Sequence, residues 1–96
     1  MAYKLIIKDE AEQDIIDGFH FYAGKASGLG ERFINEVEEV FNYLENYPEH
    51  FQVVYNDKRQ RLLKNFPYAV IYQIVENKVI VFSVFPLKSD PAKKPE

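Results

Sequence analysis

The chain has 96 residues, 47% of them hydrophobic and 28% charged, with a formal net charge of -3. That length fits one domain over residues 1–96, which buries roughly two thirds of the surface its unfolded chain exposes, and the composition is not that of a disordered chain. The sequence contains no Cys, which removes disulfide frameworks and thiolate metal sites, and no window approaches the ~20 apolar residues of a membrane span.

The apolar stretch in MAYKLIIKDE is too short for a signal peptide, so the expectation is a cytoplasmic protein without membrane contact. The net charge hides a split. Residues 1–50 carry four Lys/Arg against eleven Asp/Glu, a net of -7, whereas residues 51–96 carry eight against four, a net of +4. Acidic helices commonly present solvated faces. The basic half is more informative because its charges cluster.

Tyr3 to Ile7 reads as a short strand. Asp9 then resembles an N-cap with Glu12 three residues on, and Ala11, Ile15, Phe19, Tyr22 and Ala26 recur at helical spacing. Gly24, Ser27, Gly28 and Gly30 mark a break. Phe33, Val37, Val40, Phe41, Leu44 and Tyr47 form the apolar stripe of a second helix, which Pro48 stops. Beyond it the period becomes two. Val53–Tyr55, Arg59–Lys64, Tyr68–Val75 and Val79–Phe85 read as strands, with turns at Asn56-Asp57 and at Glu76-Asn77-Lys78, where Asn77 tolerates positive φ. Near-continuous apolarity gives the last two strands central positions. The polar residues 89–96 are expected to fray. The expected fold is α+β: an N-terminal strand, then a two-helix hairpin packed on a twisted antiparallel sheet, in the order β-α-α-β-β-β.

The cluster Lys58, Arg59, Arg61 and Lys64 is the main functional candidate. Alternation along a strand puts Arg59 and Arg61 on one face and sends Leu62 the other way, toward the core. Two guanidiniums on one face suit a phosphate, a carboxylate or an acidic segment; the plain alternative is an edge strand kept soluble by charge. Tyr72 stands in the neighbouring strand, where it either packs the sheet or offers a ring for stacking. His20 and His50 lack metal-ligand spacing and read as solvated or edge-packed. No metal and no cofactor are expected. Gly28-Leu29-Gly30 reads as a helix break rather than an anion site.

The run from Arg61 through Phe66-Pro67-Tyr68 to Tyr72, followed by Val79 to Phe85, resembles the RelE/ParE superfamily of toxins from bacterial type II toxin–antitoxin modules. Asp9 and Ala11 opening the first helix, Phe33 and Leu44 on the second, and Pro48 after it extend the resemblance over about residues 3–91. It implies a cognate antitoxin that wraps the toxin in a hetero-oligomer, and one of two activities: ribosome-dependent mRNA cleavage, as in RelE-like members, or a ParE-like attack on DNA gyrase. It also implies that Arg61 would be the catalytic residue if RNA is cut, with Arg59, Lys64, Tyr72 and Lys88 on the binding surface. The sequence departs from the RNase pattern at the end of the last strand, where many relatives carry His or Tyr and then Arg. Here Phe85-Pro86-Leu87-Lys88 supplies no acid or base for the 2′-hydroxyl, which favours the gyrase-directed reading. The alternative is a non-toxic interaction module whose basic sheet binds an acidic peptide.

Overall fold

The computed structural model describes residues 2–87. The tail 89–96 and the site candidate Lys88 lie outside them. Strand β1 spans Lys4–Ile7, helices α1 and α2 span Asp9–Lys25 and Leu29–Asn46, and a single 3-10 turn covers Pro48–His50. Strands β2 (Val53–Tyr55), β3 (Lys58–Leu62), β4 (Tyr68–Val75) and β5 (Lys78–Pro86) follow. The sheet order is β1-β5-β4-β3-β2. All neighbours are antiparallel except β1, which runs parallel to β5. The α+β class and the sequence strand, two helices, then strands are as expected, with β4 and β5 central, but four strands follow the helices where the expected order had three, and β1 joins the sheet in parallel.

Helix α1 begins at Asp9 itself, so Asp9 is not the cap. Lys8 holds that position in an extended conformation, with no side-chain cap bond. The reason is that Lys8 still belongs to the sheet: its N–H donates to the Val81 carbonyl at 3.0 Å. Asp9, Glu10 and Glu12 in the first turn instead act through the helix dipole. The hairpin turns at Gly28, whose φ of 80° only glycine adopts cheaply. The two helices then approach closely, because a Cβ on Gly18 would lie 2.7 Å from the Phe33 ring.

Both helices cover one face of the sheet. Phe33, Val37, Val40, Phe41 and Leu44 of α2 pack with Val70, Tyr72, Val79, Val81 and Val84 of β4 and β5 in one buried cluster. Leu5 and Ile7 of β1 pack against it. Where β1 has ended and β5 runs on, Asp14 of α1 caps the exposed edge by accepting from the Val84 N–H at 3.0 Å. Burial raises the Asp14 pKa, an effect the Val84 bond opposes. Asn56 and Asp57 both take positive φ, 45° and 64°, as a two-residue hairpin with its strand twist requires. At the β4–β5 hairpin the left-handed residue is Glu76, with φ 58°, and not Asn77.

Leu62 does not face the core. It is 46% exposed on the helix-free side. Residues paired across strands share a face, and Arg59 and Arg61 pair with Tyr72 and Val70, both in the core. The two arginines therefore lie on the helix side at its margin, and Leu63, just past the end of β3, supplies the core side chain instead. Among the described residues no helix is long and apolar enough to cross a membrane.

Candidate functional site at the β3 margin

Pro48 sends the chain from α2 back across the margin of the sheet, and β3 and β4 fasten the turn it makes. Arg59 Nη1 donates to the Phe51 carbonyl at 2.6 Å and reaches the Glu49 carbonyl at 3.5 Å. The Tyr72 hydroxyl donates to the Pro48 carbonyl at 2.5 Å. Arg59 and Tyr72, both expected on a binding surface, thus build the site from beneath. Tyr72 is wholly buried, and burial pushes its phenol up to about 12 against the opposing pull of Arg59 and Arg61.

Arg61 is disposed differently. Its guanidinium lies over the Phe51 ring, 5.0 Å from the centroid, and Nη1 donates to the Leu62 carbonyl at 3.0 Å. Its Nε is buried and finds no hydrogen-bond partner among the described residues. Arg61 and Lys64 line a cleft of about 270 Å³ with Glu36, Glu39, Val40, Tyr43 and Asn65. Lys64 stands just past β3 because α2 pins its loop: the Glu36 carboxylate accepts from the Lys64 and Asn65 backbone N–H groups and from Asn65 Nδ2. The cleft lining is balanced, with two cations against two carboxylates. Glu36 keeps its charge while accepting from the neutral N–H groups of the loop, so an incoming anion would meet Arg61 and Lys64 against both carboxylates.

On the other side of Arg61 runs a shallow groove formed by His50, Phe51, Gln52, Val54, Gln60 and Leu62. His50 was not a candidate from sequence. Here its Nδ1 lies 2.6 Å from the Tyr43 hydroxyl, and its ring stacks on Tyr47 at 5.1 Å and 18°. A sequence carries no periodic signal for this, because the contact joins the last turn of α2 to the turn that Pro48 creates. Besides the turn-bound Arg59, the margin therefore holds the Arg61 guanidinium, the Lys64 ammonium and an oriented imidazole. That set can hold an anion and exchange a proton. Among the described residues no group of three His, Asp or Glu side chains is placed to hold a metal ion.

The helix pair laid on one face of a sheet with this strand order is the fold of the RelE/ParE toxins. A chain of the chromosomal ParDE system of P. aeruginosa superposes with a TM-score of 0.67 at 10% identity, covering 91% of this chain and 98% of that one. A chain of the RelBE2 toxin–antitoxin complex of Mycobacterium tuberculosis superposes at 0.61 with 15% identity, covering 90% and 99%. A mutant E. coli RelE in the free state does so at 0.57 with 18% identity, covering 92% and 86%. At such identities the likeness is one of fold. No curated protein matches the sequence significantly. The model of the ParE toxins of type II toxin–antitoxin systems, parDE, matches residues 5–91, and the chain belongs to that family.

Proposed function

We propose that this toxin arrests growth by a ParE-like action on DNA gyrase and is neutralised by a cognate antitoxin in the cytoplasm. The observation that carries the gyrase reading is the end of β5. Ser83, Val84, Phe85, Pro86 and Leu87 include no His, Tyr or Arg, so that strand supplies no residue to activate a 2′-hydroxyl. The assignment of Arg59 to the carbonyls of the 49–51 turn also supports it, since a guanidinium so engaged is not free for phosphate. Induction without the neighbouring small reading frame should stop growth, and co-expression of that frame should restore it. Purified protein should inhibit gyrase supercoiling. Normal growth in both cultures, with gyrase unaffected, would sink the proposal.

One observation favours ribosome-dependent mRNA cleavage as the second reading. His50, held by Tyr43, shares its groove with Arg61. A base beside a guanidinium is the minimum that transfer to a 2′-hydroxyl needs. Mapping of mRNA ends after induction separates the two. Codon-phased cuts that disappear in both Arg61→Ala and His50→Ala would establish cleavage, and intact transcripts with inhibited gyrase would exclude it.

A further inference from the structure

Asp14, Asp17, Gly18 and Phe21 follow one another along α1 at i, i+3, i+4 and i+7, so they share one face of that helix. They lie over the ends of β4 and β5, where Tyr68 pairs with Pro86 and, further in, Val70 pairs with Val84. Between helix and strands is a cavity of about 280 Å³, closed by Tyr68, Val84 and Pro86. Gly18 keeps it open, because that position carries no side chain and the Phe33 ring behind it leaves no room for one. The cavity shares no residue with the clefts around Arg61.

Three side-chain groups of this cavity are held in place but keep an acceptor. Asp14 Oδ2 accepts from the Val84 N–H at 3.0 Å, which fixes the carboxylate and leaves Oδ1. Asp17 Oδ1 accepts from Gln13 Nε2 at 2.9 Å and leaves Oδ2. Tyr68 is only 8% exposed. The hydroxyls of Tyr43 and Tyr72 are hydrogen-bonded, whereas that of Tyr68 has no partner among the described residues. Nor is it sealed in the core, since the one fully buried side-chain polar atom left without a partner among those residues is the Arg61 Nε. Burial raises the Tyr68 phenol, and Tyr22, Asp14 and Asp17 push it the same way, which sets the hydroxyl beside the two carboxylates and keeps it protonated at neutral pH. Burial likewise raises the Asp14 carboxyl against the Val84 bond, and Glu10 and Asp17 add to the rise. The field on the cavity is therefore negative. Its aromatic wall already takes a cation: the Lys25 Nζ lies 4.9 Å from the Phe21 centroid.

We propose that the cavity between α1 and the ends of β4 and β5 binds a small aliphatic primary amine as its ammonium ion. An ammonium presents three N–H donors and no acceptor. Asp14 Oδ1, Asp17 Oδ2 and the Tyr68 oxygen answer them one for one, and the two carboxylates make those bonds charge-assisted. The alkyl chain would lie on Val84, Pro86 and the Phe21 ring, and that ring also favours the charge. A guanidinium fits less well. Its planar fork is made for both oxygens of one carboxylate, and here each carboxylate has one oxygen engaged. A divalent metal ion wants six or more oxygens, and among the described residues no group of three His, Asp or Glu side chains is placed to hold one. The inference goes beyond the toxin reading and does not depend on it, since the cavity lies apart from the β3 margin.

The test titrates the full chain with butylamine, with butanol as its neutral counterpart, with methylguanidine and with magnesium ion, read by calorimetry and backbone amide spectra. Butylamine should bind and shift the amides of Gly18 and Val84, while those of Val53 and Val54 in β2 stay. Butanol should bind about tenfold more weakly or worse, because it forfeits the charge-assisted bonds. Asp17→Asn, at an exposed position that the fold does not rely on, should weaken the amine about tenfold. Tyr68→Phe should weaken the amine and leave butanol unchanged, and Glu38→Gln, exposed on α2, should alter neither. Salt should lower the amine affinity by screening. Lys88→Gln/Lys93→Gln/Lys94→Gln should bind the amine as the wild type does. Four outcomes would overturn the proposal: butanol binding as tightly as butylamine, which would mark an apolar crevice; tighter binding of methylguanidine or magnesium; amine affinity untouched by Asp17→Asn; or amine binding that emerges only in the triple lysine variant, which would make one of the chain's own ammonium groups the occupant.

Discussion

Tyr72 illustrates how much one side chain does here. Its ring fills the core beside Val70, and its hydroxyl satisfies the carbonyl of Pro48, itself buried. Tyr72→Phe keeps the ring and orphans that acceptor, which should cost about 1–3 kcal/mol in urea unfolding at neutral pH. The pH dependence has a definite sign. A phenol pushed up to about 12 in the fold, from an unfolded value of 10.0, contributes stability that is complete below the unfolded value and is lost as pH rises toward the folded one. The difference between wild type and Tyr72→Phe should therefore shrink between those values. A gap that stays constant through that window would refute the assignment. Arg59 belongs to the same assembly, so the residues that looked most like a ligand surface in the sequence are partly the fastening of a turn.

At the scale of elements, the joint between α2 and the β3–β4 loop rests on one carboxylate. Glu36 takes three donors from Lys64 and Asn65, and a carboxylate holding several N–H groups is a strong acceptor. Glu36→Ala should cost about 1–3 kcal/mol, since two backbone donors lose their partner. It should also speed amide exchange at Lys64 and Asn65 more than at Val70 in the sheet interior. Uniform acceleration across all three would show that the loop is held by something else. The joint also sets the cleft: Glu36 holds the loop that brings Lys64 beside Arg61, and Glu36 and Glu39 oppose those two cations there. The helices themselves were legible because α2 repeats its apolar stripe for a full face and Pro48 ends it. The limits of β3 were less so, because Lys64 looks strand-like until Glu36 draws it out of the ladder.

Over the whole molecule, the first strand closes on the last. β1 runs parallel to β5, and Lys8 extends the pairing to Val81. Leu5 and Ile7 pack, partly buried, against the core from there, and each contributes a part of the roughly 1.5–3 kcal/mol that full burial gives. Against a total stability of about 5–15 kcal/mol, removing residues 2–8 should abolish the cooperative thermal transition, and the bared β5 edge should promote association on size-exclusion chromatography. A monomeric, cooperatively melting truncation would show that the remaining strands suffice.

The sequence by itself determined the succession of a strand, two helices and a run of strands, the turn at Asn56-Asp57 and the separation of an acidic helical half from a basic, strand-rich half. All of these are local periodicities or compositions, and short-range sterics and hydrophobic spacing set them. The tertiary structure decided which face each charge occupies. Strand alternation puts Arg59 and Arg61 together but cannot say which side the helices will cover. Only the pairing with Tyr72 and Val70 turned the arginines toward the helices and Leu62 away from them. Nor could spacing bring His50 to Tyr43 and Arg61, or Tyr68 to Asp14 and Asp17. Those contacts depend on a turn held by long-range hydrogen bonds and on a helix laid across distant strands, and neither leaves a repeat in the chain.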